Sequence, residues 1–401
     1  MTDIQPLYGT DFVIRQYDSA KRAGAKVSTK GMGGGGSSSE QTESNWVDVP
    51  ADGTLLAGKG YIIQVANNTT DSLNNTNPAV VVFPSRNTLT KNKLFASTNV
   101  VVPLEEYPAE FAHNRSWNLV GNPYPCYYDL HYLMDDFTTP IVLWRGSSYQ
   151  AYSPVDDNLI LRPNEAFFVQ RPLDQEQMAF ATEGRMHYTD ARNSNASPGA
   201  KAPAADRSAA GRSVFNFLVA GNGADDRARI VMNEQASAAY DTRTDASKFF
   251  AEKATGIELY VNADTRYDIC ERPMGNGTAT LGMRVGKAGT YTLSLNGRNT
   301  EGWTVMLTDT QTGRMVKLNE RDYEFEAAAG EQPQRFQLAF TSAPATGLEG
   351  VSVSDPDAQV RVVNTAGLTV FQGRFADFRE QAPTGVYVVI EGSKSYKVVV
   401  K

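Results

Sequence analysis

The residues of this chain that could do chemistry are few, and their spacing is poor for it. His113, His131 and His187 show neither an HExxH arrangement nor any metal-ligand spacing. They read as surface or partly buried side chains. Asp135-Asp136, Asp156-Asp157 and Asp225-Asp226 are adjacent carboxylate pairs. Glycosidase acids stand ~5–9.5 Å apart and come from distant positions, so adjacency is weak evidence for hydrolysis. Calcium would suit oxygen-rich loops, but DxDxDG spacing is missing, and solvated turns are the expected role. Gly31-Met-Gly-Gly-Gly-Gly36 matches GxGxxG, yet Ser-Ser-Ser-Glu follows it where a dinucleotide site needs a helix. GxSxG, P-loop and activated-cysteine patterns are all missing. Cys126 and Cys270 read as two small buried thiols in different domains. The expectation is a non-enzyme with no catalytic residue, metal or cofactor.

One patch invites a ligand. Trp117, Tyr124, Tyr127, Tyr128, Tyr132, Trp144 and Tyr149 concentrate aromatic rings in a short stretch. Exposed rings stack on sugars, whereas rings between sheets pack a core. Trp117, Tyr124, Trp144 and Tyr149 are the candidates for glycan stacking. The net charge of −7 and the lack of a basic cluster interleaved with aromatics exclude a nucleic-acid footprint. No apolar run approaches the ~20 residues of a membrane-spanning helix.

The elements that must position these residues read as strands. Composition breaks divide the chain into a β-sandwich over 1–189, a linker over 190–212, a second β-sandwich over 213–343 and a small C-terminal unit over 346–401. A Gly/Ser loop over 28–45 interrupts the first region, because such a run cannot bury enough surface to order itself. That region carries an internal repeat. Leu55–Gln64 (LLAGKGYIIQ) aligns with Leu161–Gln170 (LRPNEAFFVQ), and upstream Phe12-Val-Ile-Arg parallels Ile141-Val-Leu-Trp. Ala79–Phe83 and Asn99–Val102 are short β-branched runs. A short helix is expected near Tyr128–Phe137, capped by Asp129, and one helical turn over Ala246–Lys253. In the second region the spacing predicts an antiparallel series. Leu281–Val285 and Tyr291–Leu295 read as a hairpin around glycines, and Val305–Asp309 and Met315–Leu318 as another. Five strands are expected in the tail, starting at Val351, Val360, Leu368, Gly385 and Tyr396. The fold class is all-β: tandem antiparallel β-sandwiches and a small C-terminal immunoglobulin-like sandwich.

Two sets of residues carry a resemblance. The tail reads Val362-Val-Asn-Thr-Ala-Gly367, then Pro383-Thr-Gly-Val-Tyr-Val-Val389, then Tyr396-Lys-Val-Val-Val-Lys401. It resembles the C-terminal sorting domain of Bacteroidetes type IX secretion substrates, which typically shows D/N-x-x-G, then L/P-x-G-V-Y, then a basic final strand. Asn364 and Gly367 fill the first element, Gly385, Val386 and Tyr387 the second, and Lys397 and Lys401 the third. Ser116-Trp-Asn-Leu-Val-Gly-Asn-Pro-Tyr-Pro125 and Asn164-Glu-Ala-Phe-Phe-Val169 are similar to the "GWNLVGNPYP" and "GxGFFV" segments common in surface proteins of that group. Cys126 stands in a turn where those proteins often have serine.

The resemblance implies a route more than an activity. In that family the tail addresses the folded protein to the type IX machinery for passage across the outer membrane. It is then often removed as the protein is joined to surface lipopolysaccharide or released. The expectation is therefore a cell-surface or secreted location and structural or adhesive modules facing a glycan or host protein. An accessory region of a larger hydrolase and a carbohydrate-binding module are the alternatives. Met1-Thr-Asp-Ile-Gln-Pro-Leu-Tyr has no basic or apolar segment of a secretory signal, so this reading expects a fragment of a longer chain.

Overall fold

The computed structural model describes residues 8–9, 12–24, 44–56, 58–65, 69–70, 76–77, 98–134, 137–157, 159–187, 211–273, 275, 277–342, 357–364, 368–382, 385–392 and 394–400. Most of the Gly/Ser loop and of the 190–212 linker, the strands expected at Ala79 and Val351, and Asp135, Asp136, Gly367 and Lys401 lie outside the described residues. The fold is all-β, with several antiparallel sheets. It divides into two compact units, residues 1–340 and residues 341–401.

In the first unit, the internal repeat is visible as strand pairing. Phe12–Tyr17 pairs with Ile62–Val65, and the equivalent Ile141–Trp144 pairs with Ala166–Gln170. The two registers differ by two residues: Phe12 faces Val65, whereas Ile141 faces Val169 rather than Arg171. A shift of two keeps every side chain on its original face, so the repeat tolerates it. The second copy sits in a four-stranded sheet ordered Tyr149–Tyr152, Ile141–Trp144, Ala166–Gln170, Trp117–Gly121. Ala166–Gln170 reads AFFVQ without alternation because both its faces are covered. Phe167 and Val169 enter one core with Tyr124, Tyr128 and Phe180, and Phe168 enters another.

That second core joins the two expected domains. It packs Trp117, Val142, Ala151 and Phe168 from the first region against Ala246, Phe249 and Ile269 from the second. Phe249 is its hub: its ring lies 4.5 Å from Phe168 and 4.7 Å from Trp117, with the Arg22 guanidinium 3.8 Å above it. Residues 1–189 and 213–340 thus fall within one compact unit.

From Arg212 to Ser342 the chain forms an eleven-stranded sheet that curls into a nearly closed barrel. Its core takes residues from along the whole sheet, among them Phe215, Leu259, Leu281, Leu293, Leu307, Phe325 and Phe336. Val305–Asp309 and Met315–Leu318 form the expected hairpin, with Leu307 facing Val316 and Gly313 at φ +72° in the turn. The other expected hairpin does not form. Gly277–Val285 pairs with Ile257–Asn262 and Gly330–Ser342, whereas Gly289–Arg298 pairs with Arg212–Gly221 and Tyr323–Ala327. The glycine at the crossing serves packing: a Cβ on Gly286 would stand 2.2 Å from the Ala254 carbonyl oxygen. One ladder is parallel, Ala224–Asn233 against Arg266–Pro273, because the long connection between them returns the chain to the same end. Ala246-Ser247 adds to this sheet as a short strand, replacing the expected helical turn.

The second unit is a four-stranded antiparallel sheet ordered Thr369–Arg374, Gln359–Asn364, Gly385–Glu391, Lys394–Val400. These are the last four expected strands. Among the described residues the second layer comes from a helix, Phe375–Gln381, where the sandwich expectation placed strands. Phe375 and Phe378 pack with Val360, Val362, Tyr387, Val389 and Tyr396 to make its core.

Candidate functional site

Three places merit the name of candidate site: the terminal sheet, the aromatic patch, and a buried charged seam that sequence reasoning missed.

In the terminal sheet, the motif elements meet. Asn364 closes its turn twice, its backbone N–H donating to the Leu368 carbonyl at 2.9 Å and its Oδ1 accepting from the Leu368 N–H at 3.0 Å. An Asn at such a corner is explained by this local bonding. Asn364 stands opposite Tyr387 in the ladder, and Tyr387 is buried in the small core. Gly385 and Val386 open the strand that pairs with the last one, facing Val400 and Val399, and Lys397 faces Val388. Gly367 and Lys401 lie outside the described residues. Among the described residues, Lys394–Val400 is an edge strand with a neighbour on one side only.

The aromatic patch comes apart. Trp117 and Tyr124 are fully buried and belong to different cores, so neither can offer a face to a sugar. Trp117 donates from Nε1 to the His113 carbonyl at 2.9 Å, and Tyr124 from its hydroxyl to the Phe180 carbonyl at 2.9 Å. Tyr149 is half-buried, and Trp144, 45% exposed, meets it edge-on at 4.9 Å. A single exposed ring is a poor sugar platform. The Trp117–Pro125 segment is explained by its own geometry. Asn118 bridges the Glu105 N–H and carbonyl, and Asn122 holds the turn through the Cys126 and Arg162 carbonyls and the Tyr124 N–H.

The charged seam runs along the joint between the four-stranded sheet and the large one. Asp156 and Asp157, expected to be solvated, are turned inward. Asp157 receives both Arg229 Nη atoms, at 2.6 and 2.9 Å, and Arg227 at 3.2 Å. Asp156 receives Arg212 at 3.1 and 3.2 Å and also Arg298. Arg212 bridges on to buried Glu271 at 2.8 Å. Burial opposes ionisation of Asp157, but Arg229 and Arg227 outweigh it and hold the carboxyl below its usual range. Guanidinium groups occupy the oxygens that a calcium ion would need. No group of three or more potential metal-binding side chains occurs among the described residues.

Deeper in the seam, Lys248, Asp226 and Asp268 are buried together. Lys248 Nζ donates to Asp226 Oδ2 at 2.7 Å, to the Tyr149 carbonyl at 2.8 Å and to Asp268 Oδ1 at 3.4 Å. Asp226 Oδ2 also accepts the Leu259 N–H at 2.7 Å, and its Oδ1 accepts the Ser148 hydroxyl at 3.0 Å. Asp268 Oδ2 accepts the Ala151 N–H at 2.8 Å. Burial pushes Asp226 up to about 7 against the attraction of Lys248, and it raises Asp268 as well. Burial also works against charge on Lys248, yet the two carboxylates outweigh it and the net shift is upward. Two carboxyls and one amine in a dry site hold no net charge when one carboxyl keeps its proton. Of this triad the sequence marked only Asp226 as a candidate for chemistry, in the Asp225-Asp226 pair.

Cys126 and Cys270 are free thiols. Burial pushes Cys270 up to about 12, the opposite of an activated nucleophile. His113 is buried, which lowers its pKa, and His131 pairs through Nδ1 with Asp129 at 2.7 Å. Asp129 caps a three-residue helix, Leu130–Tyr132, the short remnant of the expected one.

No curated protein and no solved structure matches this chain. One family model does, over residues 127–340, a span that crosses the 190–212 segment, contains the whole seam and ends where the first compact unit ends. That match covers more than half of the sequence, and the chain belongs to the family described as Domain of unknown function (DUF8693).

Proposed function

We propose that this chain is a non-enzymatic region of an exported bacterial surface protein, in which residues 1–340 are a structural or adhesive module and the terminal unit is a type IX sorting domain. The observation that carries the reading is the placing of the motif residues in the terminal sheet. Asn364 and Tyr387 are paired in adjacent strands, and among the described residues the final strand lies at the sheet edge. An edge strand offers unpaired backbone groups, which is how extended segments are commonly read by partner proteins. The secretion machinery is the partner this edge would meet, and surface lipopolysaccharide is the acceptor after tail removal. The interior of the first unit agrees with a mechanical role, since buried acids such as Asp156, Asp157, Asp226 and Asp245 are held in place by arginine, lysine or backbone N–H groups.

The test is secretion. The chain is expressed behind a Sec signal peptide in a bacterium with type IX secretion, with and without residues 341–401. The full chain should reach the surface or medium, and the truncated chain should stay in the periplasm. Equal export of both would overturn the reading.

A further inference from the structure

We propose that Lys248 and Asp226 become joined by an intramolecular amide bond, formed without any added enzyme, with Asp268 as the proton carrier. This goes beyond the proposed function and does not depend on it.

The geometry supplies each part that the reaction needs. The nucleophile, Lys248 Nζ, is already in contact with the carboxyl it would attack, at 2.7 Å from Asp226 Oδ2. Holding two reactants in contact replaces a bimolecular encounter with a unimolecular step. Both side chains are wholly buried, so bulk water, which would favour the free acid and amine, is excluded. The carboxyl is polarised from two sides by the Leu259 N–H on Oδ2 and the Ser148 hydroxyl on Oδ1. Donors so placed stabilise the oxyanion that develops when nitrogen adds to Cγ. A second carboxyl, Asp268, stands 3.4 Å from the same nitrogen. It is held by the Ala151 N–H, and hydrophobic Phe249 and Ile269 are the chain neighbours of Lys248 and Asp268. The raised pKa of Asp226 agrees with a protonated acid poised as electrophile.

The step balances. Asp226 starts as the neutral acid, Lys248 as the ammonium and Asp268 as the carboxylate. Asp268 takes one proton from Lys248, and the free amine adds to Cγ of Asp226 to form the C–N bond. A second proton leaves the nitrogen and joins the departing hydroxyl, the Cγ–O bond breaks, and water is released. The products are an amide, one water and neutral Asp268. No oxidant or cofactor is required, and a buried ion pair becomes a site without charge. The bond would tie the Ala224–Asn233 strand to the segment that follows Ala246–Ser247, two parts of the large sheet that each pair with Arg266–Pro273.

Intact-mass spectrometry of the purified full chain tests this, with circular dichroism confirming that it is folded. The expected mass is one water below that of the sequence, and digestion should yield one branched peptide joining Lys248 to Asp226. Lys248→Met and Asp226→Ala should each restore the full sequence mass after denaturation. Asp268→Asn should leave most of the folded chain at full mass. A folded wild-type chain at full sequence mass overturns the proposal without recourse to any variant. Complete bond formation in folded Asp268→Asn overturns the role of Asp268.

Discussion

The large sheet keeps many of its charges inside, whereas the terminal sheet carries its ion pairs outside. In residues 212–342, Asp226, Arg229, Lys248, Glu258, Asp268 and Asp309 are all almost completely buried, each beside a partner from another part of the chain. In the terminal unit the ion pairs of Arg374 with Asp357 and Asp377 lie at the surface, and the core is aliphatic and aromatic. The contrast reflects what each interior must decide. A small aromatic core accepts many neighbours of similar size. A buried charge accepts only one that brings the opposite charge within hydrogen-bond reach, since an unpaired ion in a low-dielectric interior is strongly unfavourable. Closure of the barrel illustrates the point. Arg335 meets Asp309 Oδ1 at 2.8 Å from the neighbouring strand, and Tyr323 donates to Asp309 Oδ2 at 2.7 Å while Arg335 donates to the Glu326 carbonyl at 3.2 Å, so side chains also link strands that the backbone ladder leaves apart.

The sharpest way to break this contrast is to remove one arginine from each unit. Arg229→Met keeps volume but leaves Asp157 buried with a lost bidentate partner, and a loss of about 3–5 kcal/mol is expected. Arg374→Ala should leave the unfolding curve unchanged. Urea denaturation of both variants measures the difference, and equal effects would refute the comparison. A second test concerns what does hold the terminal unit. Phe378 lies 5.2 Å from Tyr387 and 5.6 Å from Phe371, and Phe378→Ala should cost about 3–5 kcal/mol, enough to loosen so small a core. Amide exchange should quicken in Gly385–Glu391 and Lys394–Val400 and stay unchanged in Ala224–Asn233. Faster exchange in the Ala224–Asn233 strand would show that the units are not energetically separate.

A third test is a pH dependence. Buried Asp245 accepts the N–H groups of Asp241 and Glu271, but burial dominates and carries its pKa from 3.8 to about 7. A folded pKa above the unfolded one favours the protonated form in the native state. Its contribution is complete below the unfolded value and is lost as pH rises toward the folded one. Relative to Asp245→Asn, the wild type should therefore lose stability between about pH 4 and pH 7. A gap between the two that stays constant over that range would show that Asp245 ionises in the fold without penalty.

Much of the strand content was legible because it is local. Val360–Val363, Gly385–Ile390 and Ser213–Val219 announce themselves by β-branched residues and alternation, and all form strands. The Thr310–Gly313 turn was legible too, since a glycine at positive φ is a local demand. The Phe375–Gln381 helix was missed: its seven residues are too few for a helical period to stand out. The seam was hidden for a different reason. Asp156-Asp157 in a polar turn looks the same whether water or arginine will solvate it, and its partners lie more than fifty residues away.

What the sequence determined alone, then, is the all-β class, the position of most strands, and the turn built by Asn364. These follow from backbone preferences and side-chain periodicity acting over a few residues. Tertiary structure decided which strands are neighbours, sending Gly277–Val285 and Gly289–Arg298 to different partners although a hairpin was the local expectation. It also decided that Trp117 and Tyr124 are core, and that Lys248, Asp226 and Asp268 share one dry site. Those outcomes depend on contacts between distant segments, where desolvation and charge pairing outweigh any local preference.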